Sequence, residues 1–96
     1  MTTTATTRTF RLGTIVATPN ALEALQQAGI SGMELISRHV HGDWGEMSAD
    51  DKALNDLAIE DGSRIFSAYN LANGVKIWVI TESNRSSTCI LLPEDY

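Results

Sequence analysis

The chain has one cysteine, Cys89, and so can form no internal disulfide. No apolar run approaches the roughly 18 residues needed to span a membrane. The opening MTTTATTRTF has neither the apolar core nor the small-residue cleavage pattern of a secretory signal. Together these absences predict a cytoplasmic protein, with Cys89, inside the apolar run TCILL, acting as a small buried hydrophobe. Basic residues are scarce too: seven Lys and Arg stand against twelve Asp and Glu, for a formal net charge of −5. That balance argues against unaided binding to a phosphate backbone, which draws on clustered cations. No glycine-rich phosphate loop or nucleotide fingerprint occurs, and no cofactor is implied.

What is present suits one α+β domain over residues 8–96, preceded by a flexible, Thr-rich tail over residues 1–7. Residues 8–18, RTFRLGTIVAT, read as a first strand with a possible bulge at Gly13. Thr18-Pro19 is an N-cap followed by proline at the first helical position, and Leu22 and Leu25 give that helix an apolar face before Gly29. Ser31-Gly-Met-Glu34 fits a capping box opening a second helix from about Gly32 to His41, with Met33, Leu35, Ile36 and Val40 inward and Gly42 closing it. Ser48 opens a third helix and Gly62 ends it. There Ala53, Leu54, Leu57 and Ala58 are expected to face the core, while Lys52, Asp56 and Glu60 form a solvated side that isolates Ile59 among charges.

After Gly62 the pattern changes to period two. Residues 64–71 and 75–81 flank Ala72-Asn73-Gly74, a strong hairpin signal, and a third run over residues 88–92 ends at Pro93. The expected architecture is three short helices packed on a small antiparallel sheet, in the order βαααβββ. A two-residue Asn73-Gly74 turn would put Ser67, Tyr69, Leu71, Lys76, Trp78 and Ile80 on one face and Phe66, Ala68, Val75, Ile77 and Val79 on the other. On this register Ser67, Tyr69, Lys76 and Trp78 make a candidate binding face, and Asp56, Ile59 and Glu60 a second candidate surface on helix three. A homodimer through a free sheet edge is a further expectation.

Two chemical readings attach to HVHGDWG, residues 39–45. His39, His41 and Asp43 are suitable zinc ligands, and the same letters open the H-x-H-x-D-H motif of metallo-β-lactamase-like hydrolases, but Trp44 stands where that motif has its last histidine. On a helix residues two apart diverge by about 200°, so the stretch reads chiefly as a helix-ending corner anchored by Trp44, with no metal implied. The second reading is general acid–base chemistry. Helices followed by an antiparallel sheet are similar in outline to small ribonucleases of the barnase and RelE type, which implies His39, His41, Arg64, Tyr69, Arg85 and Thr88 as candidate catalytic residues. The acidic balance makes a nucleic-acid partner the weaker expectation.

GDWG at 42–45, KIWVIT at 76–81 and TCILLPEDY at 88–96, with LGTIVAT near the start, resemble a family of short bacterial proteins labelled plasmid-related. The resemblance covers residues 10–96. It implies a mobile-element setting and brings no established activity or catalytic residue. Some relatives bear names of restriction-system subunits, but no nucleotide, methyl-donor or nuclease motif is present. The function expected from these features is that of a non-catalytic accessory protein that binds another protein, with a ribonuclease-like protein as the alternative.

Overall fold

Each of the three helices begins at a hydroxyl. In the computed structural model, which describes residues 10–96, Thr18 Oγ1 accepts from Ala21 N to start α1 (Pro19–Ala28), and Ser48 Oγ accepts from Asp51 N to start α3 (Ala49–Asp61). Ser31 Oγ caps α2 (Gly32–Val40) by accepting from Met33 N, one position earlier than a capping box requires. The tail expected over residues 1–7 lies outside the described residues.

The strands are β1 (Thr14–Ala17), β2 (Ile65–Asn70), β3 (Lys76–Thr81) and β4 (Ser87–Leu91), followed by a 3-10 turn at Pro93–Asp95. The α+β class and the order βαααβββ hold, in a four-stranded sheet ordered β1-β4-β3-β2. The sheet is mixed, not purely antiparallel: β1 runs parallel to β4, with Thr14 N donating to Ser86 O and Thr18 N to Ile90 O. Direction across so long a separation in sequence leaves no local trace, unlike the antiparallel β2–β3 and β3–β4 pairs joined by short turns. The first strand is also shorter than expected, because residues 10–13 lie outside the ladder.

The hairpin register differs by one residue from the expectation. Leu71 N donates to Val75 O and Gly74 N to Leu71 O, so the loop holds three residues, Ala72 to Gly74, with Gly74 left-handed at φ 84. Tyr69 therefore pairs with Ile77 and Ala68 with Trp78. A slip of one residue exchanges faces, so Tyr69 and Trp78 lie on opposite sides of the sheet. The inner face carries Ile65, Ser67, Tyr69, Ile77, Val79, Thr81, Thr88 and Ile90, all buried. The outer face carries Phe66, Ala68, Trp78, Ile80, Cys89 and Leu91. Cys89 is accordingly half-exposed rather than buried in the core.

Against the inner face α1 packs Ala21, Ala24 and Leu25, and α2 packs Leu35 and Ile36, each large side chain contributing about 1.5–3 kcal/mol on burial. Leu22 and Met33, expected inward, are exposed, and Val40 is half-buried. The largest correction falls on α3, whose buried residues are Asn55 and Ala58, with Ile59 packed beside Trp44, Ala58 and Ile65. Ala53, Leu54 and Leu57 face solvent. The helix is rotated from the expected phase because its contact with the sheet is polar. Asn55 Nδ2 donates to Phe66 O at 2.6 Å, and Phe66 N donates to Asn55 Oδ1 at 3.1 Å.

That amide behaves as a piece of strand. Beside it Ala68 N donates to Trp44 O and Glu46 N to Ala68 O, so the outer edge of β2 is covered by one side chain and by residues 44–46. Edge pairing between two copies of the chain would therefore have to use β1.

Candidate functional site

Two places on this frame concentrate chemically capable side chains. The first is buried where α2 meets the inner sheet face. His39 follows Leu35 and Ile36 on the buried side of α2 and is 0% exposed. Its Nδ1 lies 2.5 Å from Ser67 Oγ and its Nε2 2.9 Å from Thr81 Oγ1, while Thr81 Oγ1 lies 2.7 Å from Thr88 Oγ1. Thr88 Oγ1 donates to Leu12 O at 2.8 Å.

Proton accounting gives the chain a direction. Thr88 spends its proton on a carbonyl, which can only accept, so it accepts from Thr81; Thr81 then accepts from His39 Nε2–H, and His39 Nδ1 accepts from Ser67. The imidazole is neutral, protonated at Nε2, with both nitrogens satisfied. Burial holds its pKa down at about 3. Phe10 and Trp44 stand edge-on to the ring at centroid distances of 5.2 and 5.9 Å. A serine hydrogen-bonded to histidine has the outline of a nucleophile and its base. Here no carboxylate completes it, and Ser67, Thr81 and Thr88 are as fully buried as the histidine.

The remaining expected residues serve the corner or the surface. His41 is exposed at the end of α2, with Nδ1 2.6 Å from Ser37 O, so the two histidines do not converge. Among the described residues, no group of three or more His, Cys, Asp or Glu could hold a metal ion. Asp43 forms a two-pronged ion pair with Arg38 at 2.7 and 3.3 Å, which holds its carboxyl below the usual range, and accepts from Gly45 N. The Asp43 carbonyl accepts the Tyr69 hydroxyl at 2.6 Å, and Arg38 covers the Tyr69 ring; burial pushes Tyr69 up to about 12. Tyr69 is thus a core residue, not part of an open face.

Trp44 is buried as the corner's anchor, its Nε1 donating to Asp56 Oδ1. Arg85 has φ 58 and directs its guanidinium at main-chain oxygens of Ala58, Ser63, Glu82 and Ser83. Lys76 and Glu60 are exposed, and Ile59 is half-buried.

The second place is the outer sheet face. Phe66 and Trp78 meet at 4.8 Å between ring centroids, and Trp78 and Tyr96 at 5.9 Å. Arg64 donates to the Tyr96 hydroxyl and lies beside its ring. Between this row and α3 runs an open groove of about 330 Å³ lined by Met47, Asp51, Leu54, Asn55, Arg64 and Phe66. Leu54 and Leu57 are 62% and 59% exposed, and Tyr96 is 69% exposed.

The sequence offers His39, Ser67 and Thr88 together as candidates for an open sheet face, whereas they meet in the buried interior, and it gives no place to Thr81 or to the Leu54–Phe66–Tyr96 surface. The signal for the first was available. His39 lies three and four positions after Ile36 and Leu35, while Ser67, Thr81 and Thr88 interrupt the apolar parity of three strands. Comparison with known proteins by family model, by curated sequence and by solved structure returns no match. Among the described residues no helix is long and apolar enough to cross a membrane.

Proposed function

We propose that this protein is a non-catalytic accessory that binds another protein through the outer face formed by α3, β2 and the C-terminal turn. The observation that carries this reading is the unequal use of side chains. The cluster of hydroxyls around His39 has its ring nitrogens and hydroxyls occupied and no exposure, and His41 stands apart from it at the surface. Among the described residues, no element covers the large apolar side chains Leu54 and Leu57 beside the α3–β2 groove. Aromatic anchors beside a groove are features of interface centres, whereas a catalytic group must reach its substrate.

The ribonuclease-like alternative loses support on the same grounds, since His39 and Thr88 are sealed and Arg85 is committed to main-chain oxygens. A cytoplasmic, mobile-element setting rests on the sequence features and the family resemblance alone.

The test is recovery of a stoichiometric protein partner by the tagged, full-length protein from its host cells. Leu54→Ser and Leu57→Ser should each reduce recovery at least tenfold without changing the urea midpoint appreciably, because both side chains are exposed. If both variants retain the partner, this face is not the binding surface. If the purified protein cleaves RNA and Arg64→Ala abolishes the cleavage, the non-catalytic reading fails.

A further inference from the structure

We infer that the occupant of the outer face is a cationic amphipathic helix whose apolar seam lies along Leu54 and Leu57. The inference rests on the proposed binding role and adds the chemistry of the partner. At about 100° per residue, Asp50, Leu54, Leu57 and Asp61 fall within a strip some 60° wide on α3, an acid at each end and two leucines between. Isolated exposed leucines need no explanation, but Leu54 lines the groove whose other wall is Phe66, Leu57 lies next to it on the same strip of α3, and Phe66 continues through Trp78 to Tyr96. Leu54, Phe66, Trp78 and Tyr96 thus lie on one face, with Asp51, Asn55 and Arg64 lining the groove beside them.

Charge selects the occupant. Asp50, Asp51, Glu60 and Asp61 are all exposed around the leucine pair, and α3 carries Lys52 as its lone cation. Arg64, the cation in the groove lining, is held against Tyr96. A second copy of this chain would bring the same carboxylates against their equals, and a phosphate backbone would be repelled likewise. A helix with Lys or Arg at two positions eleven apart, about 16 Å along its axis, matches the spacing from Asp50 to Asp61. Apolar residues at helical spacing between those cations would meet Leu54, Leu57 and Phe66, the helix-in-groove mode of recognition.

The probe is an 18-residue helical peptide with two lysines eleven positions apart and leucines on the seam between them. Its twin carries glutamates in place of the lysines. Each is titrated into the full-length, ¹⁵N-labelled protein at low salt. The expected result is that the lysine peptide shifts amides of α3, Phe66 and Trp78 and binds at least tenfold tighter than its twin. Leu54→Ser should weaken it at least fivefold, and the double variant Asp50→Lys, Asp61→Lys should reverse the preference between the peptides.

Equal binding of both peptides to this face would overturn the cationic partner while leaving the binding face in place. Shifts confined elsewhere, or no binding by either peptide, would overturn the inference. A concentration-dependent dimer abolished by Leu54→Ser, with no peptide bound, would assign the face to a second copy and overturn it as well. Loss of partner recovery from cells is read separately and tests the binding role itself.

Discussion

His39 Nε2 donates to Thr81 Oγ1 across 2.9 Å where α2 crosses β3, and neither residue is exposed to water. The bond ties a helix to the end of a central strand, where Ser67, Thr81 and Thr88, on two neighbouring levels of the inner face, replace aliphatic side chains. Its energetics are asymmetric. A satisfied buried chain of this kind contributes modestly to stability, but an orphaned member costs the full desolvation of its polar groups.

Acidification should therefore weaken the fold through His39. Its folded pKa of about 3 lies below the ordinary 6.5, so between those values the unfolded chain binds one more proton. The neutral form's contribution is fully present above 6.5 and is lost as pH falls toward 3, with a limiting slope of about 1.4 kcal/mol per pH unit. Urea unfolding at intervals from pH 7 to pH 5, a range in which the carboxylates remain largely ionised, should show the fall. His39→Gln should be less stable at pH 7 by about 2–4 kcal/mol and should flatten the pH dependence. An unchanged slope in that variant would show that the acid sensitivity has another source.

Gly45, in the HVHGDWG corner, has no room for a side chain. Its φ is 76, and a Cβ there would stand 2.0 Å from Ala68 O and 2.6 Å from the Tyr69 ring. Gly45→Ala should displace residues 44–46 from β2, costing about 3 kcal/mol or more, since left-handed strain and a backbone clash act together. Gly29, also left-handed but with nothing near its missing Cβ, is the internal comparison. Gly29→Ala should cost only about 1 kcal/mol in the same denaturation experiment. Equal losses would mean that the close approach at Gly45 relaxes easily.

The difference between those glycines also marks what the sequence made legible. Thr18, Ser31 and Ser48 advertise helix starts because capping is a local bond, and the strands and their order follow from period and punctuation. The separation of His39 from His41 follows from helical phase alone. By contrast, α3 was misphased because Asn55, a polar residue, holds the buried position and serves main-chain groups of a strand eleven residues away. Leu54 and Leu57, the natural choice for a core stripe, are released to the surface. The hairpin was misread by one residue because Asn-Gly fits both the two-residue turn and the three-residue loop found here, and that choice exchanges the faces of Tyr69 and Trp78.

Asn55 should be costly to replace and informative in how it fails. Asn55→Ala removes both bonds to Phe66 and leaves two main-chain groups on the edge of β2 without those partners, a loss of roughly 2–4 kcal/mol. The exposed edge becomes a template for pairing with another chain. Sedimentation of the variant under native conditions should reveal concentration-dependent association absent from the parent. A destabilised but strictly monomeric variant would indicate that residues 44–46 protect the edge unaided.

Arg85 allows backbone and side chain to be separated. Its φ of 58 is unfavourable for a residue with a Cβ, yet its guanidinium reaches Ala58 O at 2.8 Å and Ser63 O at 2.7 Å, joining the end of α3 to the turn before β4, and lies near Phe10. Arg85→Ala should keep the backbone strain and lose these bonds, at a cost of about 2–3 kcal/mol. Arg85→Gly loses the same bonds but relieves the strain, so it should be more stable than the alanine variant by about 1 kcal/mol despite its freer unfolded chain. Arg85→Lys retains charge without the planar fork and should fall near alanine. Equal stabilities for alanine and glycine would show that the left-handed backbone is not strained, and full stability in Arg85→Lys would reduce the role of the guanidinium to its charge.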